Sequence, residues 1–242
     1  MTASVARHSS AQHAPLLVLI ADSRDLGIEY VDTVVSADDR RTAAQMIPRR
    51  RTQYLAGRAL LRLAVEQSTQ RPAKAQRFTT RAGGKPDCLD GPPISVAHSG
   101  PLVVCAVAPA GEVGIDVQFA ARHHHTEEIA REWFTPAECA WLQRAPRDAF
   151  YQLWVLKEAY LKCLGSGLAG GLGSLQCYID PPLIELRAAR MTQLALYSAG
   201  TAFVGIAAST ADIREIRVEH WPQLSRHTGK IPLHFIAATT SA

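Results

Sequence analysis

The sequence predicts an α+β fold of two related lobes. Three observations carry that expectation. In each half of the chain, segments with helical spacing of apolar residues come before a run of short apolar strands. The run from Pro101 to Ala108 is echoed by the run from Thr201 to Ala208. A turn-forming stretch, Gly111 to Gly114, lies between the halves and would join them.

The elements follow in chain order. Met1 to Ala14 is polar, rich in His and Ser and without an apolar centre, so a frayed tail rather than a signal peptide is expected there. Leu16 to Ala21 is a continuous apolar run that reads as a buried strand. Ser36, followed by Asp38 and Asp39, offers an N-cap with acids in the first turn of a helix running toward Met46. Pro48 breaks it, and a second helix covers Arg49 to Gln67. Tyr54, Leu55, Leu61 and Ala64 or Val65 form its apolar face; Arg49, Arg50, Arg51, Arg58 and Arg62 form a basic one.

Arg77 to Thr80 reads as a strand and Gly83 to Pro86 as a turn. Ile94 to Ala97 and Leu102 to Ala108 are strands flanking a hairpin-like Ser99-Gly100-Pro101, and Ile115 to Val117 is a further strand. Thr135, Pro136 and Glu138 have the spacing of a capping box with proline at the first helical position. A helix then runs from about Asp148 to Leu164 and ends at Gly165. Strands at 183–187, 194–197, 203–208 and 213–219 complete the pattern, and the tail from Ser225 has no assignment.

The helix at 148–164 holds the main anomaly. Phe150, Leu153, Trp154, Leu161 and Leu164 define a buried stripe, and Lys157 falls in its middle. Glu158 and Lys162 lie together on its shoulder, one turn apart. A lysine on a buried face is costly to desolvate unless something anionic or metallic meets it, or unless it snorkels outward. That pattern outlines a site for a metal and a phosphate.

Composition bounds the alternatives. The 47% hydrophobic and 20% charged content of 242 residues is that of an ordinary soluble globular protein. A formal charge of +4 is too small for a nucleic-acid-binding face and suits a small polyanion or an acidic protein partner. Five scattered cysteines without a C-x-x-C pair argue against a disulfide framework or zinc site and for a reducing cytosol, so a cytoplasmic location is expected. No segment approaches the roughly 20 apolar residues that span a bilayer, so no membrane role is expected.

Three shorter patterns bear on chemistry. Gly84-Lys85-Pro86 would present a lysine on a fixed turn, or be an ordinary surface turn. His98, after Ser95-Val96-Ala97, would donate to a phosphate, act as a base, or be a satisfied strand-end histidine. Asp116 and Gln118 share one face of a short strand; Asp116 would be a metal ligand, the partner of a buried cation, or a strand-end turn residue. Glu158 would bind a hard cation with Asp116, or merely pair with Lys162. Ser99 lacks the G-x-S-x-G context of a nucleophile elbow. No P-loop or dinucleotide fingerprint is present, and His123 to His125 read as a solvated loop.

Taken in order, Arg49, the helical run Gly57 to Arg62, Gly84-Lys85-Pro86, Val96 to Gly100, Gly114 to Val117, Trp133 to Glu138 and Trp154 to Glu158 with Lys162 and Gly165 to Leu168 resemble the Sfp-type 4′-phosphopantetheinyl transferases. The match covers about Ser36 to Leu175, and W-x-x-K-E-x-x-x-K with an upstream G-I-D is its most specific part. The resemblance implies two pseudo-symmetric lobes, each a small, mostly antiparallel sheet with packed helices, spanning 15–112 and 113–224. Coenzyme A would bind between them. A serine of an apo acyl or peptidyl carrier protein would receive the phosphopantetheine arm, and 3′,5′-ADP would leave.

By the same resemblance Asp116 and Glu158 hold Mg²⁺, with Mn²⁺ as the alternative ion. Glu158 is the candidate base, and Lys157 and Lys162 are phosphate clamps, Lys162 also being counted as catalytic. Arg49, Lys85 and His98 grip the 3′-phosphate and neighbouring groups, while Thr80, Arg81, Gly84, Ser95, Val96 and Ala97 line the adenine side with backbone groups. Many bacterial members have an acid where this chain has Gln118, which would ligate the ion through its carbonyl or hold a water. Ala97 replaces a hydroxyl residue common before the histidine. Trp133 and Phe134 are a docking surface for the carrier, or core. A monomer is expected. The rival readings are a non-catalytic coenzyme A or nucleotide-binding protein on the same scaffold, and a metal-free acyl-CoA-dependent transferase.

Overall fold

A computed structural model describes residues 15–25, 27–81, 83–120, 125–167, 171–188, 192–210, 216–220 and 232–240. The expected N-terminal tail at 1–14, His123 and His124, Leu168, the residues 213–215 that would open a strand, and 225–231 of the C-terminal tail lie outside them.

Strand β1 (Leu16–Asp22) leads into three helices, α1 (Ile28–Val34), α2 (Ala37–Ala44) and α3 (Pro48–Thr69). A short hairpin of β2 (Phe78–Thr80) and β3 (Pro86–Cys88) comes next, then β4 (Ile94–Ser99), β5 (Leu102–Val107) and β6 (Val113–Phe119). The second half opens with α4 (Thr126–Trp133), α5 (Pro136–Leu142) and α6 (Ala149–Leu164). It continues as β7 (Leu175–Asp180), β8 (Leu183–Ala188), β9 (Gln193–Ala199), β10 (Ala202–Ala208), β11 (Ile216–His220) and β12 (Leu233–Ala238).

Among the described residues, besides the β2-β3 hairpin, the strands form two larger sheets, ordered β11-β1-β5-β4 and β6-β10-β9-β12-β8-β7. Only β1–β11 and β12–β8 pair in parallel; the other ladders are antiparallel. The sheets are stacked. Leu16, Val18 and Ile20 of β1 and Val104 and Ala106 of β5 point into a shared apolar layer. Val113, Ile115 and Val117 of β6 and Val204 and Ile206 of β10 meet them there. The alternate residues face outward to one long helix each: Leu17, Leu19, Val103 and Cys105 to α3, Phe203 and Ala207 to α6. Strands buried on both faces explain why β1, β5 and β10 read as unbroken apolar runs.

The helix signals hold. Ser36 caps α2 in a reciprocal box with Asp39, Pro48 opens α3, and Gly165 closes α6 with φ of 71°. The structure also adds elements that the sequence left unassigned, namely α1, β3, α4, β7 and β12. β12 falls in the unassigned tail and lies between β9 and β8 in the larger sheet. β6 begins at Val113, so Gly114 is a strand residue rather than the end of a turn.

Candidate functional site

The site begins with a close approach of helix to strand. A Cβ on Gly114 would collide with the carbonyl of Ala159, and one on Gly205, the partner of Asp116 across the ladder, with that of Val155. Two glycines therefore let the backbone of α6 lie directly on β6 and β10. Alternation along β6 sends Asp116 to the same face as Gly114, toward the turn of α6 that carries Glu158 and Lys162.

Lys162 Nζ donates to Asp116 Oδ1 at 2.6 Å. Burial pushes the Asp116 carboxyl above the usual carboxylate range, an effect only partly offset by Lys162 and by the N–H of Val117. Burial also raises Glu158, the Asp116 charge raises it further, and Lys162 opposes both. Two desolvated carboxylates thus share one ammonium.

His98 at the end of β4 adds to this cluster. Its Nε2 contacts the guanidinium of Arg50 on the first turn of α3. Its imidazole is depressed below 6.5, first by burial and then by the charges of Arg50 and Lys162. Asp116, Glu158, Lys162, His98 and Arg50 therefore form one electrostatic neighbourhood. Arg50 was not singled out from the sequence, which favoured Arg49. Arg51 instead turns back to the carbonyls of Ala43, Ala44 and Met46, so these two adjacent arginines have different surroundings.

A second basic cluster sits at the C-terminal end of α6. Lys85 Nζ lies 2.7 Å from Glu112 Oε2 and 3.4 Å from the carbonyl of Cys163, where a helix C-terminus favours a cation. Arg81 pairs with Glu112 Oε1 at 2.6 Å and with Asp87 at 2.7 Å. Burial would raise the Glu112 carboxyl, but Lys85 and Arg81 hold it below the usual range. Glu112 was not expected from the sequence, although it directly precedes β6.

Lys157 departs from expectation. It is wholly buried, and its ammonium is held by Glu138 Oε1 at 2.8 Å and by the carbonyls of Leu172 and Leu175. The ring of Phe134 lies beneath it, 5.1 Å away. An ammonium enclosed by these partners is used by the fold, whereas the resemblance gives it to a phosphate. Phe134 is equally committed: it is buried and stacks on Phe150 with ring centroids 5.5 Å apart, so it is core rather than a docking surface.

The remaining expected residues divide. Thr80 and Gly84 are exposed. Ser95 is buried and its hydroxyl accepts from the Ile115 N–H, Val96 packs into the core beneath α3, and Ala97 packs between the sheets. Their side chains are thus used by the fold. Gln118 directs its carbonyl oxygen to the Ser99 hydroxyl at 3.4 Å rather than to Asp116. Among the described residues no group of three His, Cys, Asp or Glu side chains is placed to hold a metal ion by itself. Asp116 and Glu158 still fit a hard divalent cation that takes its other oxygens from phosphate and water, because such an ion would relieve the cost that burial imposes on both carboxylates. All five cysteines are free thiols, and among the described residues no helix is long and apolar enough to cross a membrane.

Comparison with known proteins agrees with this arrangement. Residues 112–201, which carry β6, α6 and the strands β7 to β9, match the model of the 4′-phosphopantetheinyl transferase superfamily. A 4′-phosphopantetheinyl transferase of Bacillus subtilis is 30% identical over 60% of this chain and 72% of its own length. The transferase psf-1 of Bacillus pumilus is 33% identical over 61% and 65% of the two chains. HetI of a Nostoc species, also a 4′-phosphopantetheinyl transferase, is 28% identical over 61% and 67%. With the carboxylates of β6 and α6 inside the matched segment, the chain belongs to the 4′-phosphopantetheinyl transferase superfamily.

Proposed function

We propose that this protein transfers the 4′-phosphopantetheine arm of coenzyme A to a serine of an apo acyl or peptidyl carrier protein and releases 3′,5′-ADP. The observation that carries the reading is the convergence of Asp116 and Glu158 beside Lys162, with His98 and Arg50 alongside.

In the reaction the serine oxygen bonds to the phosphorus that bears the pantetheine arm, and the pyrophosphate bond to the adenosine half breaks. Glu158 suits the role of base for the serine proton, since burial and Asp116 raise its affinity for a proton. Lys162 lies where it can follow charge from Asp116 to a phosphate oxygen. Arg50, and His98 once protonated, offer donors to a phosphate on the β4 side, and Lys85 and Arg81 offer two more at the end of α6. Mg²⁺ held by Asp116 and Glu158 would supply neutralisation of the charge that develops on the 5′-phosphate oxygens of the leaving 3′,5′-ADP.

Incubation with an apo carrier protein, coenzyme A and Mg²⁺, followed by intact mass measurement, tests the reading. A gain of one phosphopantetheine is expected, and no gain across several carriers would overturn it. Glu158→Gln should abolish transfer while coenzyme A still binds; normal turnover by that variant would remove Glu158 from the roles of base and metal ligand.

A further inference from the structure

Strand β6 is the free edge of the larger sheet. The N–H of Ala120 donates to Thr201, toward β10, so alternation sends the N–H groups of Ile115, Val117 and Phe119 out of that edge. Unpaired edge amides need partners. Strand β4 supplies two. Ser95 Oγ accepts from Ile115 at 3.1 Å, and Ser99 Oγ accepts from Phe119 at 3.4 Å. The Val117 N–H between them is taken by the carboxylate of Asp116 itself.

The serines are four residues apart, as are the amides that they meet. β4 and β6 therefore run side by side in parallel, with Ala97 level with Val117 and no hydroxyl there to compete with Asp116 for its N–H. Among the described residues β4 pairs its backbone only with β5, and β6 only with β10. The polar ties across this seam thus come from side chains. One of them adjoins His98, and the other grips the residue before Asp116.

We propose that Ser95 and Ser99 are positioning residues for the transfer reaction. Their hydroxyls lock β4 onto β6 and so fix the anion-binding pair His98 and Arg50 relative to the carboxylates Asp116 and Glu158. The inference rests on the transferase reading above, in which one ligand engages both sides of the seam.

The test compares Ser95→Ala, Ser99→Ala and the double variant with Ser95→Thr and Ser99→Thr, which keep the hydroxyl. Three quantities are measured: amide exchange at Ile115 and Phe119 by NMR, the dissociation constant for coenzyme A, and kcat for a carrier protein. Each alanine variant should speed exchange at its own amide. Displacements of about 1 Å at a reacting centre cost on the order of a hundredfold, so the double variant should lose about tenfold to a hundredfold in kcat. The dissociation constant should move far less, and the threonine variants should recover kcat. A purely structural role would lower stability but leave kcat of the folded protein unchanged. Should the double variant not fold, Ser99→Ala at the half-buried end of the seam carries the same test. Faster exchange with wild-type kcat would overturn the inference alone; a wild-type protein without transfer activity would overturn the transferase reading and this inference with it.

Discussion

The ammonium of Lys157 lies 2.8 Å from Glu138 Oε1, and neither side chain is reached by solvent. Glu138 is saturated: its other oxygen closes the capping box of α5 through the N–H and hydroxyl of Thr135, and Oε1 also accepts from the Cys177 N–H. One carboxylate therefore joins α5, β7 and α6. Two stretches of the resemblance, around Thr135 and around Lys157, thus meet as a single buried ion pair.

Breaking such a pair from one side leaves an uncompensated charge in the core, which costs about 3–5 kcal/mol. Lys157→Met and Glu138→Gln should each lower stability by about that amount, read from the urea midpoint at constant slope. Folded Lys157→Met should still bind coenzyme A. A stable Lys157→Met protein that had lost that binding would return Lys157 to the ligand site.

The same helix is held down by missing side chains. Gly114→Ala and Gly205→Ala would each drive a methyl into backbone of α6, which no rotamer change relieves. Each should destabilise by about 1–3 kcal/mol or more and disturb the Asp116–Lys162 contact as α6 is lifted. Gly173→Ala, with open space around it, is the control and should be near neutral. Equal midpoints for Gly114→Ala and Gly173→Ala would show that α6 does not rest on β6 as described.

These residues show how far sequence reasoning reached. Periodicity showed that Lys157 is buried, and the capping box showed where Glu138 begins a helix. Neither says that they touch, because the contact depends on how α5 folds back over α6. Asp116 and Glu158 could be read together as ligands of one hard cation, because an acid between apolar strand residues and another on the shoulder of an apolar helix stripe are the oxygen donors such an ion takes. Arg50 was not legible, because three adjacent arginines differ by about 100° each and only the position of β4 selects one of them. β12 was missed because it follows a polar stretch and is exposed at His234 and Phe235, so its short run shows no apolar alternation.

Glu112 competes with any anion for Lys85 and Arg81. The carboxylate is more than a third exposed, so the contacts fall in the range of roughly 0–1 kcal/mol found for accessible ion pairs. Glu112→Gln should therefore tighten coenzyme A binding by up to about fivefold. Calorimetry with coenzyme A and with 3′-dephospho-coenzyme A separates the sources of the gain. A gain confined to coenzyme A would place its 3′-phosphate on Lys85 and Arg81. An equal gain for both ligands would leave these two cations to another part of the ligand, and weaker binding of both would make Glu112 an anchor of the loop rather than a competitor.

His98 provides the pH signature of the site. Burial, Arg50 and Lys162 all disfavour its charged form, so its folded-state pKa lies below the 6.5 of an unfolded histidine. The stability that this contributes is present above pH 6.5 and is lost as pH falls through the folded value. The wild type should therefore lose stability between pH 7.5 and 5 relative to His98→Gln, as followed by denaturant midpoints at each pH. A bound phosphate would reverse the local field by adding negative charge beside Arg50 and Lys162, and the imidazole would take up a proton. Coenzyme A binding near pH 6 should then be coupled to proton uptake, seen as a dependence of the calorimetric enthalpy on buffer ionisation enthalpy. The coupling should shrink in His98→Gln. Binding without proton uptake, or uptake unchanged in the variant, would separate His98 from the anion that this site receives.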